Sequence, residues 1–302
     1  MLSSSCDKNP SKIVVHSLIG KKGLPFYLTC LDSLQFFSSD PVKLYIHSDG
    51  SLEQEDKILI QEKLGQDIEW VGRKEADELV LEKLIPYKNC FKLRKNSIWG
   101  VELFDYHMIE TSELSFWCDA DVRFFRPYKG LFTIDAAENK CVFLRDTNWH
   151  AYTFHPKHLM GPKKLPVCSG INTGLNLLDK KFYDLDFIDW FLGQKDFFRI
   201  PEWVVPSCYA ALGARCNSFF VEPQQILNLY PNAKIGAATF AGHFLSSYRQ
   251  ERKAEFEFDW KKKHTLKAPI ETKLEACKLL KASEYSINLI KRRIANRWGI
   301  YL

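Results

Sequence analysis

The sequence lacks several signatures that would name a chemistry outright. None of its nine cysteines (Cys6, Cys30, Cys90, Cys118, Cys141, Cys168, Cys208, Cys216, Cys277) stands in a CxxC spacing, which argues against a zinc or dithiol redox motif. Their odd number and scatter argue against a disulfide framework, so free thiols in a reducing cytosol are expected. There is no GxGxxG and no GxxxxGK[ST], hence no dinucleotide fingerprint and no P-loop. No run approaches the roughly 18 uninterrupted apolar residues of a spanning helix. The first residues show no basic region followed by a long apolar run, so no secretory signal is expected. Repeats and low-complexity tracts are missing too.

What is present supports a folded chain. Of 302 residues, 46% are hydrophobic and 14% aromatic, enough for a sizeable core in one large α/β domain or two small ones. The net charge of +5 is uneven: residues 261–302 hold eleven Lys and Arg against three acids, which leaves −3 on residues 1–260. A near-neutral body with a basic tail suits an anionic surface touched by the tail, and no nucleic-acid partner is expected.

Along the chain, residues 12–19 read as a buried first strand, and Pro25 suits the start of a helix to about Phe37. Val42 to His47 give a second strand closing on Ser48-Asp49-Gly50, then a helix over Leu52 to Leu64. A short strand over Ile68 to Val71 and a helix over Lys74 to Leu84 follow. This β-α-β-α-β order predicts a mostly parallel, doubly wound sheet with helices on both faces.

The stretch Ser115 to Phe125 carries the sharpest signal, an apolar run, then Asp119-Ala120-Asp121, then a second apolar run. Acids where a strand ends lie where open α/β sheets gather ligands. Two like charges so close are costly unless a cation joins them, and a hard divalent ion that also bridges phosphates fits. The competing account is an exposed turn with two solvated acids. Lys88 to Lys95 form a basic cluster before a helix from Asn96 to about Met108. Arg94 and Lys95 there can hold a diphosphate at the helix N-terminus, or form a solvated basic face.

A strand over Lys140 to Leu144 ends at Arg145-Asp146. Residues 147–168 form a long loop with Trp149, His150, His155 and His158. His155 and His158 suggest a metal site that no nearby acid or Cys set completes, so those two read as surface or loop histidines. In Asn172-Thr173-Gly174, a glycine admits close backbone approach and Asn172 both donates and accepts. A helix over Lys181 to Leu192, another opened by Glu202-Trp203, strands over Asn217 to Val221 and Gly236 to Ala241, and Gly242-His243-Phe244 come next. Two amphipathic helices, roughly 270–282 and 284–297, are expected to finish the chain.

With these elements in order, the sequence resembles GT-A fold glycosyltransferases, more narrowly the family-8-like group, over about residues 12–249. Asp119-Ala120-Asp121 is similar to that group's DxD, Asn172-Thr173-Gly174 to its Asn-Ser/Ala-Gly element, and Gly242-His243-Phe244 to its late histidine element. The resemblance implies a nucleotide-sugar-dependent transferase with Mn²⁺ or Mg²⁺ on Asp119, Asp121 and His243. It implies a UDP-linked donor, for which Asp49, Arg94, Lys95, Asp119, Asn172, Gly174 and Arg249 are the candidate contacts, Arg94 and Lys95 by their charge at a helix start. It places Asp146 and Asn172 on the transferred sugar, with Asp146 and Glu202 as candidate bases if the product inverts, and it leans to retention.

Two departures stand out. Phe244 to Arg249 replaces the Lys or Trp that often follows the histidine, leaving Arg249 or Lys253 to contact phosphate. Glu202-Trp203 replaces an expected acid–Gln pair. Residues 1–260 form the expected catalytic domain, with a nucleotide-sugar half over 12–125 and an acceptor half over 126–250. Residues 261–302 form a basic helical tail that packs on the domain or meets an anionic membrane face from the cytoplasmic side, the acceptor being a glycan or lipid-linked glycan. A sugar-nucleotide pyrophosphorylase, with Gly20-Lys21-Lys22-Gly23 as its basic loop, and a non-catalytic binding protein are the other readings.

Overall fold

The computed structural model describes residues 13–66, 68–109, 114–133, 140–147, 150–162, 164–194, 201–245, 248–264 and 267–298. Lys12, Trp149 and the first residues read for a secretory signal lie outside them. The chain runs β1 (Ile13–Ile19), α1 (Leu24–Phe37), β2 (Val42–Ser48), α2 (Gln54–Leu64), β3 (Ile68–Val71), α3 (Arg73–Leu84), α4 (Lys88–Asn96) and α5 (Ile98–Ile109). It continues through β4 (Leu114–Cys118), β5 (Val122–Phe124), β6 (Tyr128–Lys129), β7 (Lys140–Arg145), β8 (Ile171–Asp179), α6 (Leu185–Leu192), α7 (Val204–Gly213) and β9 (Asn217–Val221). Last come β10 (Ile226–Asn228), β11 (Ala241–His243), α8 (Lys253–Glu257), α9 (Trp260–His264), β12 (Ile270–Glu271), β13 (Leu274–Ala276) and α10 (Ala282–Trp298).

The main sheet has the order β13-β9-β7-β8-β4-β1-β2-β3. Strands β3, β2, β1 and β4 are parallel, β8 runs against both β4 and β7, and β7 and β9 are again parallel. The chain leaves β1 toward β2 and β3, then returns to place β4 on β1's other side. The crevice beyond the carboxyl ends of β1 and β4 is therefore the switch point where such sheets hold ligands.

Alternation along β4 explains the two-sided core. Phe116 and Cys118 join the layer under α1 and α2, whereas Trp117 joins the opposite layer with Phe104, Phe143, Phe191 and Tyr209. Burying each such large apolar side chain contributes about 1.5–3 kcal/mol.

Two expectations change. The helix over 270–282 is instead β12 and β13, because Leu274, Glu275 and Ala276 complete the sheet edge against Val221, Phe220 and Phe219. Between α9 and α10 the tail is therefore two short strands rather than a helix, and α10 is its one long described helix. The strand expected over Gly236 to Ala241 starts only at Ala241, after a turn through Thr239.

Candidate metal and sugar-transfer site

Four segments meet at the carboxyl edge of the sheet. Asp119 leaves β4, and its backbone N–H donates to the Gly174 carbonyl at 2.8 Å, which ties β4 to the start of β8. A tight turn follows, in which Val122 N–H bonds the Asp119 carbonyl at 3.1 Å. This turn brings Asp121 round to β5. Antiparallel β5 and β11 set His243 opposite Val122, and Phe244 N–H bonds the Asp121 carbonyl at 2.9 Å. Gly174 permits the last approach, since a Cβ there would lie 2.5 Å from the His243 ring.

One ligand atom each from Asp119, Asp121 and His243 lies within 4.8 Å of the others. His243 Nε2 is 3.2 Å from Asp121 Oδ1 and 4.0 Å from Asp119 Oδ2. The two carboxylate side chains keep 15% and 29% exposure while the imidazole keeps 8%, so the cluster opens through its acids. Asp121 Oδ1 and His243 Nδ1 have no aligned hydrogen-bond partner. Two carboxylates and an imidazole converging on one point fit a borderline-hard divalent ion.

The electrostatics carry the same signature. Burial and then the Asp121 charge push Asp119 up to about 7. Burial works to raise Asp121 as well, but the His243 and Arg249 charges outweigh it and hold it below the usual carboxylate range. Burial opposes protonation of His243, yet Asp121, Asp119 and Asp146 together raise it. Each group is held by neighbours that a bound cation would replace.

The expected site residues fall into two groups. Asp49, at the end of β2, sits over Gly20 and accepts from Ser51 N–H at 2.8 Å, so it shares the sheet edge with Asp119. Asp146, at the end of β7, accepts from the Tyr230 hydroxyl at 2.5 Å and the Asn228 amide at 3.2 Å. Burial raises it to about 6 against those bonds. Asn172 accepts from Gly174 N–H at 2.9 Å. Arg249 reaches Asp121 at 2.6 Å, with its guanidinium over the Phe26 ring.

Arg94 and Lys95 do not join them. Lys88 to Asn96 form a helix of their own, and Arg94 turns into the core, its Nε and a terminal nitrogen on Asp105 at 2.5 and 2.8 Å and the third nitrogen 2.7 Å from Asp77. Gly100 lets α5 cross against the Arg94 backbone, where a Cβ would meet the Arg94 Cα at 2.4 Å. Lys95 points outward with its amine over Phe91. Glu202 is exposed before α7, where its charge is felt by Arg292 of α10. Lys21 of the glycine-flanked loop pairs with Glu53 at 2.6 Å.

Four contributors have little or no mark in the sequence. The Trp117 indole N–H donates to Asp119 Oδ1 at 2.6 Å and fixes that carboxylate. Its two-residue spacing from Asp119 on an extended strand was the available signal. Glu102 of α5 is buried and bonds Thr173; burial and the Asp119 charge push its carboxyl well up. An acid within the apolar run of α5 was its signal. Tyr230 and Asn228 carried none.

The fold and the site define the GT-A class of glycosyltransferase fold. The galactosyltransferase LgtC, solved with donor and acceptor sugar analogs, superposes with a TM-score of 0.51 at 10% identity over 84% of this chain and 97% of that one. The WbbM bifunctional glycosyltransferase gives 0.52 at 8% identity, over 84% of this chain and 51% of that one. GlyE of Streptococcus pneumoniae TIGR4 gives 0.50 at 15%, over 83% and 61%. No family profile and no curated protein matches the sequence.

Proposed function

We propose that this chain is a metal-dependent glycosyltransferase that moves a sugar, with retention, from a UDP-linked donor to a glycan or lipid-linked glycan acceptor. The observation that carries this reading is the cluster of Asp119, Asp121 and His243 at the switch point of a GT-A sheet. Asp121 and His243 would hold Mn²⁺ or Mg²⁺ directly and Asp119 more loosely, the imidazole favouring Mn²⁺. When bound, the ion supplies Lewis-acid stabilisation to the departing diphosphate.

The chain's own groups do the rest. Arg249 stands beside Asp121, within reach of phosphate charge once the aspartate is shared with a cation. Asp49 lies two strands from β4, just past the end of β2, on the proposed nucleotide side. Asp146, just past the end of β7, and Asn172, at the start of β8, are the side chains proposed to bond the hydroxyls of the transferred sugar. A cavity of about 500 Å³ adjoins Asp146 between the end of β7 and α10, with Arg145, His150, Asn288 and Lys291 on its walls. It is the proposed acceptor side, where Glu202 stands near α10.

No described helix is long and apolar enough to cross a membrane. The outer face of α10 exposes Ile287, Ile290 and Ile294, with Lys291, Arg293 and Arg297 beside them. That combination supports a peripheral contact with an anionic membrane on the cytoplasmic side.

Thermal-shift screening of nucleotide sugars with and without Mn²⁺ tests the central reading. One nucleotide should raise the melting temperature only with metal, and Asp121→Asn should erase that rise. No shift for any donor, in either condition, overturns the assignment.

A further inference from the structure

The nine cysteines look scattered in sequence, but four of them converge at one end of the sheet. Cys141 begins β7 and Cys216 immediately precedes β9, and their sulfurs lie 2.6 Å apart. Parallel β7 and β9 hold them there, with Cys141 in register with Ser218, whose hydroxyl is 3.3 Å from Cys216 Sγ. The second pair crosses a different junction. Cys168, before β8, bridges Leu279 in antiparallel fashion, and Ser169 N–H bonds the Lys278 carbonyl at 2.8 Å. This arrangement sets Cys277, two residues before Leu279, beside Cys168, and the two residues pack in the same core layer. In each pair one sulfur is buried (Cys141, Cys168) and the other partly exposed (Cys216, Cys277). Cys30, Cys90, Cys118 and Cys208 are all buried.

We infer that this chain carries two oxidisable cysteine pairs, Cys141 with Cys216 and Cys168 with Cys277, which close as disulfides and fasten β9 and the C-terminal segment to the body of the sheet. The pairs link positions far apart in sequence, so each bridge closes a long loop of the unfolded chain. An accessible sulfur beside a buried one is the layout that thiol–disulfide exchange uses. Contact with Cys141 holds the Cys216 thiol below its ordinary range, which favours the attacking thiolate.

The oxidant is a low-molecular-weight disulfide. The Cys216 thiolate attacks one of its sulfurs, forming a mixed disulfide and expelling one thiolate. Cys141 then loses its proton and attacks Cys216 Sγ, expelling the second small thiolate. One protein S–S bond forms for one small S–S bond broken, so the protein loses two electrons and the small disulfide gains them. Cys277, the partly exposed sulfur of the second pair, exchanges with Cys168 in the same two steps but more slowly, because the Cys168 contact and burial push its thiol up. The second bridge abuts Ser169 and Gly170, which line the cavity beside Asp146.

The test uses the full chain, incubated natively with oxidised glutathione or with dithiothreitol, then blocked with N-ethylmaleimide in denaturant and digested. After oxidation, mass spectrometry should find the Cys141 peptide joined to the Cys216 peptide and the Cys168 peptide to the Cys277 peptide, with Cys30, Cys90, Cys118 and Cys208 blocked. The melting temperature of the oxidised chain should exceed that of the reduced chain by roughly 5–10 °C. Cys216→Ser should remove the first bridge and leave the second; if that variant does not fold, the peptides of the wild-type chain decide. Full blocking after oxidation, glutathione left on Cys216 or Cys277, or any other pairing overturns the inference.

Discussion

Two clusters of charge in this molecule use nearly the same residue types to opposite ends. Around Arg94, the guanidinium faces the carboxylates of Asp105 and Asp77, and the Arg94 and Asp105 side chains have no exposure at all. Around Asp121, two aspartates and a histidine crowd together beside Arg249, and the opening is on the acid side. The first cluster is closed by its own chain. The second leaves places for something else. Burial of charge does not separate the two clusters; the convergence of three metal-type ligand atoms at Asp121 does.

The largest expected effect breaks the open cluster. Asp121→Asn keeps the shape and removes one anionic ligand, so metal-dependent turnover should fall by about 10³-fold, the size of several kcal/mol of Lewis-acid stabilisation. Chelation of the wild-type protein should produce the same loss. Stability to denaturant should fall modestly, because the variant loses the charge pairing with His243 and Arg249 that holds Asp121 below the usual carboxylate range. Full turnover by the variant would remove the ion from the reaction.

The matching experiment on the closed cluster is Arg94→Met. It strands Asp105 in the core and should cost about 3–5 kcal/mol of folding stability, read from urea unfolding. The folded fraction should bind nucleotide and metal as the wild type does. A variant that is stable but fails to bind nucleotide would mean that Arg94 belongs to the site, and the contrast would fail.

A pH profile sharpens the comparison at its edge, on Asp146. Burial raises this group to about 6, so its ionised form is disfavoured in the folded chain. The sign differs for stability and activity. Protonated Asp146 suits the folded state, so its contribution to stability is lost as pH rises through about 6. Sugar contacts that need the carboxylate appear over the same range, so kcat/KM should rise about tenfold per pH unit below 6 and level above it. Asp146→Asn should abolish that limb; a limb that persists would assign it to another group.

Much of this was legible in sequence, for physical reasons. The β-α-β-α-β front half is written in short-range periodicity, and Asp119, Asp121 and His243 stand beside apolar strand residues whose register decides where they point. What stayed hidden needed long-range contacts. Arg94 reads as one of a run of basic residues, and only the crossing of α4 and α5 turns it inward onto Asp105. Leu274 to Ala276 were read as helix because their neighbours are spaced like one, yet the unpaired edge of β9 draws them into the sheet. Tyr230 and Asn228 meet Asp146 across more than 80 residues, and nothing local announces it.

The smallest effect tests whether openness marks function away from the crevice too. One side of α10 is closed: Tyr285 is buried and Arg292 lies 3.7 Å over the Trp203 ring. The other side leaves Ile287, Ile290 and Ile294 54%, 55% and 51% exposed, next to basic residues. If that face meets lipid, changing Ile287 and Ile294 together to Ser should weaken co-sedimentation with phosphatidylserine vesicles by about tenfold, the loss of partial burial of two aliphatic side chains. Folding stability should move by no more than about 0.5 kcal/mol, because the residues touch water in the free protein. Raising the salt should weaken binding further through Lys291, Arg293 and Arg297, since surface charges are screened within about 10 Å at 0.1 M. Wild-type protein that ignores such vesicles at low salt would leave the isoleucine face without a lipid role, and the rule drawn from Arg94 and Asp121 would then hold only for buried charge.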